Sequence, residues 1–333
     1  MKLTLAEVKV SNVANHGVHV SDCDLADACG AGATGAGGGS AASISVSFTN
    51  VAIENVGNGK FDADGLRVDE RDKGSITFTA VDSTFTGVGA DGVELGEGQD
   101  GRVEATVLGS RFNDNGGYCN PEILEDELEE FLGAFDDEDE FDLEEMVAPA
   151  DLPGKVVGSS DDGCFEYEVD FYDSGFVEAY EYAIDVDDGF DIDEEGNGSL
   201  RVQILNSEIR NNLDEGVDFD EADRGSIDLV IADTRASGNT DDGYKFSEEG
   251  NGGIDALVLR SGSEENGGKG FVFEEEDNGS LEVSLEQVVT RDNDDSDDTG
   301  VEVVQGGRGT GVLHLNASSI EDGIDADGVT ISY

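Results

Sequence analysis

The sequence of 333 residues has no tryptophan, three prolines, four cysteines and only 18 lysines and arginines. Against these few basic residues stand 79 aspartates and glutamates, which give a formal net charge of -61 at pH 7. Nucleic acids and anionic membrane surfaces attract cationic proteins, so this charge argues against both classes of partner. The charge favours cations as partners instead.

Long apolar runs are also missing. No stretch approaches the roughly 18 consecutive apolar residues of a membrane-spanning helix. The opening MKLTLAEVKV alternates apolar and polar residues, whereas a secretory signal has a continuous apolar core. We therefore expect no membrane insertion and no signal peptide in this chain. Aromatic residues make up only 7%, which leaves few rings on which a sugar could stack.

Glycine is abundant, with 47 residues, and many glycines recur at a fixed interval. A glycine followed by an apolar-x-apolar triplet recurs every 27 residues within two groups, Gly65 and Gly92, then Gly189, Gly216, Gly243 and Gly270. Two more segments with alternating apolar residues follow within each repeat. Alternation with period 2 indicates β-strands that bury one face. Three short strands in 27 residues leave no room for a helix.

Each repeat is predicted to be one coil of a β-solenoid, because a single coil cannot bury its inward side chains and must stack on its neighbours. In this repeat, though in no catalytic motif, the sequence resembles the right-handed parallel β-helix, or pectate-lyase-like, superfamily. We expect an all-β fold, a right-handed parallel β-helix of about ten coils, because parallel crossovers are almost always right-handed. Residues 1–333 would form a single domain.

Two insertions interrupt the repeat. Residues 22–42 are rich in glycine and are predicted to form a loop. Residues 118–162 are acidic and contain a predicted helix with its apolar side chains on one face. Residues 163–188 should then form another coil, although their alternation is irregular.

The cysteines lie only at these insertions. Pairing Cys23 with Cys29 and Cys119 with Cys164 would close both insertions at their bases, although four cysteines allow other connectivities as well. Disulfides of this kind favour an oxidising compartment. Zinc binding is disfavoured because neither pair has the C-x-x-C spacing.

The stretch DEGVDFDE, residues 214–221, concentrates the negative charge. If its two apolar residues point inward, Asp218 and Asp220 point outward, and the preceding coil places Asp191 and Asp193 beneath them. Stacked like charges destabilise a sheet, and hard oxygen ligands suit Ca²⁺. The sequence therefore predicts Ca²⁺ as a ligand of Asp191, Asp193, Glu194, Asp218, Asp220 and Glu221.

Two other interpretations of these carboxylates stay open. They could form a solvated face that is screened in concentrated salt, where the Debye length is about 3 Å at 1 M. They could also belong to a Ca²⁺-dependent lyase of uronate polysaccharides. In lyases of the superfamily that the chain resembles, a lysine or arginine near the Ca²⁺ removes a proton, and Lys245 lies one coil beyond the acidic patch. Surrounding carboxylates raise the pKa of a lysine, however, which is the wrong direction for a base.

We expect a structural or adhesive protein outside the cell or on its surface, with the uronate lyase as the alternative. Its partners would be divalent cations and either a polysaccharide or further copies of the chain stacked end to end.

Overall fold

The computed structural model describes residues 1–22, 40–58, 63–70, 72–98, 100–117, 187–293 and 299–333, and the backbone of two strands at 165–171 and 177–184. All regular elements in these ranges are β-strands, so none is a helix that could span a membrane. The predicted helix within 118–162, most of the loop at 22–42 and the four predicted disulfide cysteines lie outside the described residues.

Three parallel sheets run side by side along the molecule, and each coil contributes one strand to each sheet. Sheet I contains β1 (Lys2–Ala6), β4 (Ile44–Thr49), β7 (Ile76–Val81), β10 (Val103–Leu108), β15 (Leu200–Leu205), β18 (Ile227–Ala232), β21 (Gly253–Leu259), β24 (Ser280–Glu286), β27 (Thr310–Asn316) and β30 (Val329–Ser332). Sheet II contains β2 (Lys9–Ser11), β5 (Ala52–Glu54), β8 (Thr84–Thr86), β11 (Arg111–Asn113), β16 (Glu208–Arg210), β19 (Arg235–Ser237), β22 (Gly262–Glu264), β25 (Val289–Arg291) and β28 (Ser319–Ile320). Sheet III contains β3 (Val18–Ser21), β6 (Leu66–Glu70), β9 (Val93–Glu97), β14 (Phe190–Gly196), β17 (Val217–Asp223), β20 (Lys245–Gly250), β23 (Phe271–Glu275), β26 (Val301–Gln305) and β29 (Ile324–Asp327).

The coils stack with equivalent residues in register. In sheet I, Leu200 pairs with Ile227, and Ile227 pairs with Ile254, at steps of 27 residues. The ten strands of sheet I agree with the predicted number of coils. The fold class predicted from the repeat, a right-handed parallel β-helix, is confirmed.

The long insertion does not interrupt the stack. Strand β10 pairs directly with β15, so Val103 lies beside Leu200 although the chain between them is 97 residues long. Within that interval the strands β12 (Phe165–Phe171) and β13 (Val177–Ile184) pair with each other in an antiparallel hairpin. The prediction of another coil at 163–188 was therefore wrong, because its alternating residues belong to a separate two-stranded sheet.

Apolar side chains from all three sheets fill the interior. Phenylalanines form one continuous column: the rings of Phe85, Phe112 and Phe190 stack with centroids 5.1 and 5.3 Å apart. Phe190 then contacts Phe219, and Phe219 contacts Phe246. Each coil thereby buries its aromatic ring against the rings of its neighbours, which no isolated coil could do.

A ladder of buried asparagines follows sheet II, at the corner that leads into sheet III. The side-chain amide of Asn212 donates to Oδ1 of Asn239, and Asn239 donates to Asn266, each at 2.9 Å. Asn266 continues the ladder to Asn293 at 2.8 Å. An amide both donates and accepts, so identical residues satisfy one another when stacked. The ladder fixes the corner from which the chain enters sheet III.

A second ladder consists of glutamates that point into the interior at the end of the sheet III strands. Its members are Glu70, Glu97, Glu194, Glu221, Glu248 and Glu275, and Gln305 continues the column. Each is buried. In three coils a carboxylate oxygen of the ladder accepts the backbone N–H of the glycine four residues later, as Glu97 does from Gly101 at 3.1 Å. A Cβ on Gly101 would lie 1.7 Å from the carbonyl oxygen of Gly74, so this tight corner requires glycine.

Stacked glutamates in the interior favour their protonated forms. Burial, with neighbouring carboxylates, raises the pKa of Glu248 to about 7, of Glu194 to about 8 and of Glu221 to about 9. At neutral pH, part of the ladder must therefore hold protons that the unfolded chain releases.

We expect Glu248→Gln to stabilise the protein at alkaline pH. From the ordinary value of 4.5 to about pH 7 the folded state keeps the proton of Glu248 while the unfolded chain loses it, so wild-type stability falls as the pH rises through this window. Glutamine has the same shape and carries no charge. After allowance for partial solvent screening, we expect a gain of about 1 kcal/mol at pH 8.5 and little change at pH 5.

Thermal unfolding at the two pH values measures this difference. Glu282→Gln is the matched control, since that side chain is exposed on sheet I. An equal gain at both pH values would show that the effect does not come from titration.

Candidate metal centre

Acidic side chains gather on the outer face of sheet III and on the turn that leads into it. Three consecutive coils supply them, and we name this surface the acidic trough: Asp91, Glu94, Asp188, Asp191, Asp193, Asp214, Glu215, Asp218 and Asp220. Basic residues bound it in the same column of strand positions. Arg67 pairs with Glu94 on one side, and Lys245 pairs with Asp218 on the other.

The register of the predicted carboxylate patch is as expected. Asp191 lies beside Asp218, and Asp193 lies beside Asp220. Glu194 and Glu221 also pair with each other, but they follow Asp193 and Asp220 in strands whose side chains alternate, so they point to the opposite face. Both belong to the buried glutamate ladder, and the structure does not bring them together with the four aspartates.

One group of three carboxylates forms a compact cluster between two coils. A carboxylate oxygen from each of Asp188, Glu215 and Asp218 lies within 4.8 Å of the other two. Ligands of one Ca²⁺ at about 2.3–2.6 Å from the ion can be at most about 5 Å apart, so this spacing fits a single ion. All three residues are buried, with 8%, 6% and 9% of their surface exposed.

Two oxygens in this cluster have no partner. Oδ1 of Asp188 and Oδ1 of Asp218 are buried and form no hydrogen bond in the structure. An unpaired buried carboxylate oxygen is unfavourable by several kcal/mol unless a proton or a cation accompanies it. The residues present therefore fit a hard cation.

The trough shifts the pKa of its acids strongly. Burial, followed by repulsion from nearby carboxylates, raises the pKa values of Asp188, Asp191 and Asp218 well above their usual range. The same causes raise the pKa of Asp214 to about 10, and burial with Asp193 raises that of Asp220 to about 7. A bound divalent cation would reverse these shifts, because it stabilises the charged forms.

Three further carboxylate clusters lie along the same face: Asp64, Asp91 and Glu94; Glu94, Asp191 and Asp193; and Asp214, Glu215 and Asp241. The predicted patch is thus divided between two clusters. Asp191 and Asp193 join Glu94, whereas Asp218 joins Asp188 and Glu215. Among the described residues, Asp220 belongs to none of these clusters.

Lys245 forms ion pairs with the trough. Its Nζ donates to Asp218 at 2.7 Å and to Glu215 at 3.3 Å. Burial acts to lower the pKa of Lys245, but the two carboxylates outweigh burial and raise it well above its usual range. The ammonium group therefore stays protonated and cannot serve as a base while these contacts persist.

Sequence reasoning missed the residues that precede the repeat glycine. Asp64, Asp91, Asp188, Glu215 and Asp242 occupy this position in five consecutive coils. The signal was an acidic residue directly before the glycine in each of these five repeats. Alternation along the strand could not show that this turn residue joins the outer face, because it lies before the strand begins.

Comparison with known proteins yielded a likeness to one solved structure. No protein-family model matches the sequence, and no curated protein matches it. The chain is similar to the crystal structure of pectate lyase Pel9A, with 13% identity and a TM-score of 0.39 over 99% of this chain and 69% of that chain. No residue's role is transferred from that likeness to this chain.

We expect Lys245→Met to lower the free energy of unfolding by about 1–3 kcal/mol at neutral pH without divalent cations. Glu215 and Asp218 would lose their nearest positive charge. The decrease in free energy of unfolding is smaller than for a fully buried ion pair, because about a third of the lysine side chain is exposed. Chemical denaturation measures the change.

Lys269→Met is the matched control. Its Nζ contacts Glu302 at 2.9 Å, and its side chain is about as exposed as that of Lys245. Equal losses in the two variants would contradict a special role of Lys245 in neutralising the trough.

Proposed function

We propose that this chain is an acidic β-helix with a structural or adhesive role, and that it binds Ca²⁺ in the acidic trough. The observation that carries the proposal is the cluster of Asp188, Glu215 and Asp218, in which two buried carboxylate oxygens have no partner. A solvated, salt-adapted face does not explain oxygens that water does not reach.

The donor set favours Ca²⁺ over other metals. All three residues offer carboxylate oxygens, which suit hard cations, whereas zinc and copper sites use imidazole or thiolate ligands. Ca²⁺ accepts six to eight oxygens in flexible geometry, while Mg²⁺ requires a near-ideal octahedron. Three carboxylates contributed by two coils meet the looser requirement.

The ion would join two coils. Asp188 precedes β14, whereas Glu215 and Asp218 belong to the next coil at β17. An ion bound by both strengthens the contact between coils and removes the repulsion that separates them. Such a site gives a rod whose stiffness depends on Ca²⁺. Extracellular modules typically bind Ca²⁺ with dissociation constants of about 10⁻⁴–10⁻³ M, which suits a location outside the cell.

The alternative, a uronate lyase, requires Lys245 as the base. Its two ion pairs keep that lysine protonated, and the buried Arg67 is engaged by Asp69 at 3.2 Å and Glu94 at 2.6 Å. Both basic residues of the trough are thus better suited to neutralise charge than to remove a proton. The binding function is favoured for this reason.

Thermal unfolding at fixed ionic strength tests the Ca²⁺ site. We expect Ca²⁺ to raise the midpoint more than Mg²⁺ or NaCl does, by the equivalent of about 2.7 kcal/mol when the ion is at 100 times its dissociation constant. Asp188→Asn should remove the part of this rise that comes from the cluster of Asp188, Glu215 and Asp218, because it replaces a charged ligand. The same variant should be more stable than wild type without Ca²⁺, because it removes a buried carboxyl whose pKa is raised.

Asp255→Asn is the control, since Asp255 is exposed on the outer face of sheet I. An equal rise in NaCl would mean that the trough is only screened by salt, and the proposal would be abandoned.

Assays on pectate and alginate test the lyase alternative. We expect no unsaturated product from the wild-type protein in Ca²⁺, and therefore no difference between it and Lys245→Ala. Product formation that disappears in Lys245→Ala would instead establish the lyase and assign the base.

A further inference from the structure

A second carboxylate cluster lies in the same column of positions, toward the N-terminal end of the rod. Asp64 and Asp91 each precede a repeat glycine, and Glu94 points outward from β9. One carboxylate oxygen from each lies within 4.8 Å of the other two. This spacing again matches ligands of one ion.

Asp64 provides an observation independent of the clustering. Its side chain is completely buried. Oδ2 lies 3.2 Å from Nδ1 of His16 and 3.5 Å from Nη1 of Arg67, but Oδ1 has no hydrogen-bond partner. One oxygen of this buried carboxylate therefore has partners and the other has none, which is rare for buried polar atoms in folded proteins. A buried carboxylate oxygen with no donor is unfavourable unless a positive charge lies nearby.

Arg67 supplies only part of that charge. Its guanidinium lies closest to Glu94, at 2.6 Å, and to Asp69, at 3.2 Å. One arginine thus stands among four acidic side chains, those of Asp64, Asp69, Asp91 and Glu94. This excess of acidic side chains favours a cation in the cluster.

We propose that Asp64, Asp91 and Glu94 form a second divalent-cation site, separate from that of Asp188, Glu215 and Asp218. This inference rests on the proposed function, which supplies the kind of ligand, a divalent cation. It extends that function from one bound ion to two. The two clusters are two coil steps apart, about 10 Å at the usual strand spacing. Each would join a different pair of coils.

Equilibrium dialysis against Ca²⁺ at fixed ionic strength, with metal analysis of the protein, counts the ions. We expect two per wild-type chain, one in Asp64→Asn, one in Asp188→Asn and none in the double variant. Asparagine preserves the shape of Asp64 and removes its negative charge. Asp255→Asn should retain both ions.

Asp91→Asn provides a second test if Asp64→Asn does not fold, because Asp91 is only half-buried. It should also bind one ion. A single ion in wild type that Asp188→Asn removes and the Asp64 and Asp91 variants retain would overturn this inference and leave the proposed function intact. No bound Ca²⁺ in wild type would overturn both.

Discussion

The constraint on which this structure depends is the in-register stacking of coils. Each residue lies beside the equivalent residue of the neighbouring coil. A type of side chain that recurs in the repeat therefore forms a column along the rod. Apolar and aromatic residues gain from this, as the column from Phe85 to Phe246 shows. Asparagines gain as well, because an amide is its own complement. Carboxylates do not, since a stack of like charges repels itself.

The chain contains two columns of stacked acids, and their environments lead to different solutions. The inner glutamate ladder has no access to ions, so protons offset its charge, and at one end Gln305 provides a neutral residue of the same shape. The outer trough lies outside the apolar core, and Arg67 and Lys245 bound it. Protons in the interior and basic side chains on the outer face thus offset the repulsion that the repeat creates between stacked acids.

The sequence was sufficient to predict the coil, its period and the alignment of Asp191 with Asp218, because these follow directly from glycine spacing and alternation. The inward direction of Glu194 and Glu221 was missed. The apolar triplet suggests a strand that ends at Ile192 or Phe219, whereas β14 and β17 extend for several further residues. Asp188 and Glu215 were missed because they lie in a turn, where period-2 alternation gives no direction. The sequence of β12 and β13 alternates apolar and polar residues much as a strand of a coil does. Only the antiparallel pairing of these two strands with each other distinguishes them from a coil.

The direct pairing of β10 with β15 bears on how the chain reaches this fold. From β15 to β24 successive coils join residues 27 positions apart, so one coil can form on the last in a sequence of short loop closures. Across the insertion the loop is 97 residues long. The added entropic cost, (3/2)RT ln(97/27), is only about 1 kcal/mol. All of it applies to one step, the pairing of β10 with β15. The pairing of β10 with β15 is therefore the least local contact between neighbouring strands of the described coils.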